Sequence, residues 1–304
     1  MKHILFLFLD GLGLGAATTS NPFAHAQWPA FHRLAHGQPW HAPFTDHRAS
    51  HHVVRSLDAT LGVSGLPQSG TGQGTLFTGA NCADIVGRHF GPYPHSKTHP
   101  VLDEENIFQQ LRALPGKPSP VAFANAFPPP FFNASRRRAT VTTHCCRAAD
   151  VPLRDQSGLA DGRAVSADLT NAYWRTQLGL DVPRRTVADA ATVLASIAED
   201  HTFTLFEYFL TDKVGHQRVD TPPVELLHDL DQFLDVLLDQ LDPDTDTLVL
   251  TSDHGNLEET AHTQHTRNPV PLLVYGWAAP FFANATDLTD VTPAVVAALR
   301  STRS

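Results

Sequence analysis

Acidic and histidine side chains follow three apolar runs of this sequence. They stand in the segments FLFLDG, FLTDKVGH and LVLTSDHGN, and they are Asp10, Asp212, His216, Asp253 and His254. A lone Asp at such a position is usually a helix cap or a turn former. Three such positions, two of them with a nearby His, instead indicate a metal site, because carboxylates and neutral imidazoles are the usual ligands of divalent transition metals.

The spacing of these residues divides them into two groups. Asp212 and His216 are four residues apart and can meet on one face of a turn, whereas Asp253 and His254 are adjacent and would straddle the end of a strand. His265, in HTQHTRNPVP, could join either group. Two divalent ions a few ångströms apart would use all of these ligands. Mixed Asp and His ligation suits Mn²⁺ or Zn²⁺ better than Ca²⁺, which prefers oxygen ligands alone.

A glycine-rich segment at residues 65–81, GLPQSGTGQGTLFTGAN, offers hydroxyl groups before an apolar helical pattern. These hydroxyls belong to Ser69, Thr71 and Thr75. A hydroxyl at a helix N-terminus can attack phosphorus when a metal lowers its pKa and the backbone N–H groups hold the phosphate. Alone, such a segment is more often a plain loop, and it lacks the GxxxxGK[ST] pattern of a phosphate-binding loop.

Apolar runs and helical patterns alternate along the chain and would position these residues. Runs typical of buried strands lie at residues 4–9, 121–127, 203–210, 247–252 and 271–275. Helical spacing of apolar residues marks 106–114, 187–199, 224–241 and 291–300. The alternation predicts a three-layer α/β/α core with a mostly parallel sheet. In such folds the carboxyl ends of the strands carry the ligands.

Residues 128–183 interrupt this alternation. They contain PPPFF, the adjacent Cys145 and Cys146, and little periodicity, so we predict a small inserted cap, with residues 1–127 and 184–304 forming the core. Arginines of this insert could clamp a second anionic group of a substrate. They are Arg136, Arg137, Arg138, Arg147 and Arg154.

Composition excludes several classes of function. Lys+Arg 22 against Asp+Glu 31 gives a formal net charge of −9, which disfavours nucleic acid as the main partner. The apolar run at 4–9 is shorter than a signal peptide requires, and no run approaches a membrane span. Three cysteines without metal-site or disulfide spacing favour a reducing cytoplasm. We therefore expect a cytoplasmic protein acting on a small molecule, with no membrane partner.

Taken together, the motifs resemble the alkaline phosphatase superfamily, within its metalloenzyme branch of cofactor-independent phosphoglycerate mutases and phosphopentomutases. The resemblance rests on LDGLG, DKVGH, SDHGN and HTRNPVP. It implies that Asp212, His216 and His265 hold one ion. The other ion would be held by Asp10, Asp253, His254 and the nucleophile.

The same resemblance assigns the nucleophile by spacing. With Thr71 at the nucleophile position, Gly74, Gly79 and Ala80 align with the family pattern without a gap, whereas Ser69 needs a two-residue shift. We therefore predict Thr71 as nucleophile and metal ligand, with Ser69 as the second choice. Thr75 is expected to be an ordinary helix residue.

The resulting functional expectation is a metal-dependent phosphoric ester hydrolase, a phosphatase or phosphodiesterase, with two divalent ions and a phosphothreonine intermediate. The first alternative is a small phosphomutase, although the mutases carry a longer insertion than this chain offers. The second is a non-catalytic metal-binding protein, which the hydroxyl in the glycine-rich turn disfavours.

Overall fold

The computed structural model describes residues 2–116, 120–133 and 139–303. Its sheet has the order β2-β3-β7-β6-β1-β5-β4. The strands are β1 (His3–Leu9), β2 (His47–Arg48), β3 (His52–Leu57), β4 (Val121–Phe123), β5 (Phe203–Tyr208), β6 (Asp246–Thr251) and β7 (Val270–Gly276). Strands β4, β5, β1 and β6 are parallel to one another, while β7, β3 and β2 continue the sheet in antiparallel pairings.

Helices cover both faces of this sheet. The α-helices of the described chain are α1 (Pro29–Leu34), α2 (Ser69–Thr78), α3 (Cys82–Val86), α4 (His99–Glu104), α5 (Ile107–Arg112), α6 (Pro129–Asn133), α7 (Val141–Ala148), α8 (Gln156–Ala160), α9 (Ala172–Thr176), α10 (Val187–Glu199), α11 (Leu210–Gly215), α12 (Pro223–Gln240) and α13 (Val291–Ser301). Within the described chain, no helix is both long and apolar enough to cross a lipid bilayer.

Strand β1 shows how the two faces are built. Successive side chains of a strand point to opposite faces, and Phe6 and Phe8 pack with helices α2, α5, α7 and α13 on one side. Leu5 and Leu7 pack with α1, α10 and α12 on the other. A strand that is apolar on both faces is therefore the central layer, and the predicted α/β/α architecture is confirmed.

The antiparallel side of the sheet contains a strand that the sequence pattern does not reveal. Strand β3 carries Arg55, which is 8% exposed. Its guanidinium lies 2.5 Å from an Asp46 carboxylate oxygen and donates to the backbone oxygen of Ala285 at 2.9 Å. Because a buried charge requires a partner, this ion pair allows a polar residue inside an otherwise apolar strand.

The predicted insert is divided among three packing environments, one of which is the α10 and α12 side of the sheet, where Val165 and Leu169 pack. Helix α7 packs into the same cluster as α2 and α5. Farther along the insert, Leu159, Ala164, Trp174 and Val182 form a separate small cluster with Ala126 of the core. The assignment of residues 128–183 as a cap over the site stays a prediction, and three of its arginines, Arg136, Arg137 and Arg138, lie outside the described residues.

Candidate active site

Three neighbouring parallel strands deliver the predicted ligands to one edge of the sheet. Asp10 follows β1 directly, Asp253 follows β6 after one residue, and Asp212 lies in the first turn of α11, just after β5. Because β6, β1 and β5 are adjacent and parallel, their carboxyl ends meet at this edge, as expected for ligand sites in such folds.

Asp212, His216 and His265 form the first group of ligand atoms. The Nε2 atoms of His216 and His265 are 3.0 Å apart, and they lie 3.3 and 3.5 Å from Oδ1 of Asp212. Two ligands at about 2.0–2.1 Å from a tetrahedral ion are about 3.3 Å apart. The three atoms therefore have the separations of ligands around one divalent ion, and His265 joins the Asp212 group.

The second group lies around the fully buried His254. Its Nε2 atom is 3.5 Å from Oδ1 of Asp10 and 3.4 Å from Oδ2 of Asp253. Ligand atoms of Asp10, Asp212 and His254 also lie within 4.8 Å of one another, so Asp212 stands between the two groups. The imidazoles of His254 and His265 stack with 3.7 Å between ring centroids.

The donor set of this second group fits a cation. Oδ1 of Asp10 and Oδ2 of Asp253 are buried and have no hydrogen-bond partner among the described residues. A buried charged oxygen without a partner costs several kcal/mol in a real protein, and a divalent ion would remove this cost at both carboxylates. These residues therefore fit the implied metal.

Backbone carbonyl groups fix the histidine tautomers. Nδ1–H of His216 donates to the Thr263 oxygen at 2.6 Å, and Nδ1–H of His265 donates to the Pro67 oxygen at 2.7 Å. A carbonyl can only accept, so the proton is on Nδ1 and the Nε2 lone pair faces the site. Outer hydrogen bonds of this kind orient metal-ligating histidines.

The pKa values of the site reflect crowded negative charge. Burial, and then the charge of Asp212, raise the pKa of Asp253 to about 7, and burial followed by the charge of Asp253 raises the pKa of Asp10. Burial lowers the pKa of His254 to about 3, which keeps its imidazole neutral and able to ligate. Burial acts to raise the pKa of Asp212, but its contacts with His265 and the Asn256 amide, together with nearby histidine charge, bring the pKa well below its ordinary value.

The hydroxyl that reaches this cluster belongs to Ser69. Its Oγ atom lies 3.0 Å from Nε2 of His254, and the residue lines the cavity over the metal ligands. Ser69 begins helix α2, where Gln68 is the N-cap without a side-chain capping bond. The backbone N–H groups of Ser69 and Gly70 make no hydrogen bond within the described chain, so the helix start can accept an anion.

Thr71 occupies a different environment from the one predicted for it. The residue is fully buried, and its hydroxyl donates to the backbone oxygen of Gln68 and accepts from the N–H of Phe90, both at 3.2 Å. Residues two apart on a helix point about 200° apart, so Ser69 and Thr71 cannot both face the cluster. The contacts disagree with the prediction that Thr71 is the nucleophile and a metal ligand. Thr75 bonds to its own helix, as expected for a helix residue.

One carboxylate that sequence reasoning missed ties the ligand-bearing loops together. Glu258 is 1% exposed and accepts hydrogen bonds from the N–H groups of Gly13 and Asn256 at 2.9 and 2.7 Å. It also accepts from the Thr266 hydroxyl at 2.5 Å and the Asn268 amide at 3.0 Å. Its position five residues after Asp253, beside the motif SDHGN, is the signal that could have identified it.

Two further missed residues lie near the cluster. Glu207 of β5 is buried, and burial raises its pKa to about 7; its charge also raises the pKa of Asp10. Arg218 lines the same cavity as Ser69. Arg147 and Arg154 of the insert do not line this cavity: Arg147 lies over the ring of Phe131, and Arg154 donates to the backbone oxygen of Arg163.

Comparison with known proteins finds matches over the part of the chain that carries Asp212, Asp253 and His265. Residues 180–302 match the Metalloenzyme superfamily model. The 2,3-bisphosphoglycerate-independent phosphoglycerate mutase of Legionella pneumophila (strain Lens) is 33% identical over 116 residues, covering 36% of this chain and 23% of the mutase. The mutase of Methanopyrus kandleri is 28% identical over 134 residues, covering 41% of this chain and 31% of that enzyme. The matched regions are thus less than a third of each mutase.

Solved structures show the same fold along the whole chain. PH0037 protein from Pyrococcus horikoshii superposes with a TM-score of 0.59 at 14% identity, covering 100% of this chain and 98% of that one. Alkaline phosphatase from the Antarctic bacterium TAB5 gives a TM-score of 0.57 at 11% identity, covering 99% of both chains. The family match, over the segment that carries most of the ligand candidates, and the shared fold agree with the resemblance to the metalloenzyme branch of the alkaline phosphatase superfamily.

Proposed function

We propose that the protein is a metal-dependent phosphoric ester hydrolase in which Ser69 is the nucleophile. The observation that carries the proposal is the position of Ser69 Oγ, 3.0 Å from Nε2 of His254 at the start of helix α2. This replaces the phosphothreonine at Thr71 with a phosphoserine at Ser69. The partner is a small phosphate ester, and a cytoplasmic location stays a prediction.

The chain's residues divide the work between binding and attack. Asp212, His216 and His265 would hold one ion; Asp10, Asp253 and His254 would hold the other. Two divalent ions, Mn²⁺ or Zn²⁺, would supply Lewis acidity that lowers the pKa of a nearby hydroxyl and offsets charge on phosphoryl oxygens.

The reaction then takes place in two displacements at phosphorus. Ser69 Oγ gives its proton to solvent and forms a bond to phosphorus while the ester P–O bond breaks, and the leaving alcohol takes up a proton from solvent. The N–H groups of Ser69 and Gly70 are placed to donate to a phosphoryl oxygen at the helix start. Water then attacks the phosphoserine, releasing phosphate and restoring the Ser69 hydroxyl.

A phosphomutase is the second candidate, because the curated relatives that match this chain are mutases. In that reaction the phosphoserine forms in the same way, but the bound alcohol, rather than water, takes the phosphoryl group at a second hydroxyl. The two functions share the first displacement and differ only in the acceptor.

The test is a substrate panel on metal-stripped protein with Mn²⁺ or Zn²⁺ added back. The panel contains a phosphomonoester, a phosphodiester, a sulfate ester and a coupled sugar-phosphate mutase assay. Release of inorganic phosphate that depends on metal and is lost in Ser69→Ala supports the hydrolase. If sugar phosphate is isomerised without release of free phosphate, the protein is a phosphomutase rather than a hydrolase. If no substrate is turned over, both the hydrolase and the phosphomutase proposals are contradicted.

A further inference from the structure

Helix α2 lies close against the strand ends that carry the second group of ligand atoms. A Cβ atom at Gly72 would come within 2.8 Å of the backbone oxygen of Asp253, so glycine at this position allows the approach. Ser69 and Gln73 are about one helical turn apart, and residues at this spacing lie on the same face of a helix. The face that brings the Ser69 hydroxyl to His254 therefore also brings Gln73 to the cluster.

The amide of Gln73 holds one oxygen of the Asp10 carboxylate. Gln73 is 3% exposed, and its Nε2 atom donates to Oδ2 of Asp10 at 3.3 Å. An ionised carboxylate can only accept hydrogen bonds, so the NH₂ end of the amide faces Asp10. The other carboxylate oxygen, Oδ1, has no hydrogen-bond partner among the described residues and lies 3.5 Å from Nε2 of His254. One oxygen is thus fixed by the amide, and the other is left for an ion.

The two oxygens of Asp253 are divided in the same way. Oδ1 accepts from the N–H of Gly11 at 3.3 Å, while Oδ2 has no hydrogen-bond partner in the described chain and lies 3.4 Å from Nε2 of His254. The free oxygens of Asp10 and Asp253 therefore lie beside the same imidazole nitrogen, as ligand atoms around one ion do. At Asp253 the donor belongs to the backbone, whereas at Asp10 it is the side chain of Gln73, which a substitution can remove.

We propose that Gln73 is a positioning residue that holds Oδ1 of Asp10 toward the ion of the second group and ties the start of helix α2 to that ion. Without the amide, the Asp10 carboxylate rotates about its Cβ–Cγ bond, whose torsional preference is broad, and ordering it again on ion binding costs affinity. Loss of such an outer hydrogen bond typically costs about 10–100-fold in metal affinity. The inference rests on the proposed function, because that function places this ion beside Ser69.

The experiment measures the two Mn²⁺ binding steps by chelator competition in wild type and three variants. Gln73→Met keeps the length of the side chain and removes the donor, and Gln73→Asn keeps an amide but shortens the side chain by one methylene, out of reach of Asp10. The control Gln110→Met removes an amide of α5 that donates to the Thr78 oxygen at the other end of α2, at 2.9 Å. Both Gln73 variants should weaken one binding step by about 10–100-fold, and Gln110→Met should match wild type.

An Asp253→Ala background shows which ion is affected. This variant lacks a ligand of the second group, so the ion that it still binds is the one assigned to Asp212, His216 and His265. Adding Gln73→Met to Asp253→Ala should leave the Kd of this remaining ion unchanged. A general loss of structure would weaken this ion as well, so the comparison separates positioning of Asp10 from an effect on folding.

Ion binding needs no turnover, so the result does not depend on the choice of substrate. If wild type binds two ions and both Gln73 variants keep its affinities, the role given to Gln73 is overturned. A loss of affinity that persists in the Asp253→Ala background would overturn it as well. A wild type that binds fewer than two ions would instead contradict the two-ion site of the proposed function, so the two failures are distinguishable.

Discussion

Replacing Glu258 with Gln should weaken both the fold and the metal site, because this side chain joins three ligand-bearing loops. One carboxylate oxygen accepts the N–H groups of Gly13 and Asn256, and the other accepts from Thr266 and Asn268. In the variant, the amide NH₂ group would face the Asn268 amide, donor against donor. Hydrogen bonds to a charged group contribute about 1.5–3 kcal/mol, and an unsatisfied buried donor costs about 1–3 kcal/mol. The free energy of unfolding should therefore fall by about 2–4 kcal/mol.

Metal binding should weaken in the same variant. Outer-shell substitutions typically cost about 10–100-fold in metal affinity, and Glu258 holds the loops of Asp10, Asp253 and His265. Urea unfolding of the metal-free protein measures stability, and chelator competition measures affinity. The control is Glu259→Gln, whose carboxylate accepts from the N–H of Ala261 near the surface and should change stability by less than about 1 kcal/mol. If Glu258→Gln matched this control in both measurements, the role given to Glu258 would be wrong.

Three further predictions concern the ions, the buried glutamate and the insert. Asp253→Ala should bind fewer than two equivalents of Mn²⁺ by metal analysis after dialysis, and wild-type stoichiometry would contradict the second ion site. Burial raises the pKa of the Glu207 carboxyl from 4.5 to about 7 in the folded protein. As pH rises between these two values, the unfolded chain loses the Glu207 proton while the folded protein keeps it, so the free energy of unfolding falls across that window. Glu207→Gln removes this pH-dependent loss. In urea unfolding of the metal-free protein, the free energy of unfolding of the variant should therefore rise relative to that of wild type by up to about 3 kcal/mol between pH 5 and pH 8. A difference that stays constant with pH would refute the raised pKa of Glu207 as the cause. Replacing residues 155–181, which contain most of the small third cluster, with a short linker should change the ranking of substrates while metal stoichiometry stays the same, and an unchanged ranking would count against a specificity cap.

The central strands were predictable because burial on both faces leaves an apolar run in the sequence. Runs at 4–9, 203–210, 247–252 and 271–275 correspond to β1, β5, β6 and β7 within two residues. The run at 121–127 continues past β4, which ends at Phe123, because Asn125 and Ala126 leave the sheet to bridge Val165 and Arg154. Strand β3 was missed because its Arg55 is neutralised by Asp46, a partner that no local pattern indicates.

The clustering of the ligand candidates was predictable and the environments of Ser69 and Thr71 were not, for a reason of helix geometry. Ligands at strand ends follow from topology, since adjacent parallel strands bring them together. The choice between Ser69 and Thr71 depends on where helix α2 begins and which way its first turn faces, and a spacing match cannot fix that rotation. Arg218 was missed because its approach to the cavity depends on the left-handed turn at Gln217.

The position of the covalent phosphate tests the central claim most directly. Metal-loaded protein would be quenched in acid during turnover, and fragment-ion mass spectrometry would locate the phosphate within residues 66–88. We predict phosphate on Ser69, retained in Thr71→Val and absent in Ser69→Ala. Phosphate on Thr71, or an unlabelled protein that still hydrolyses ester, would contradict it.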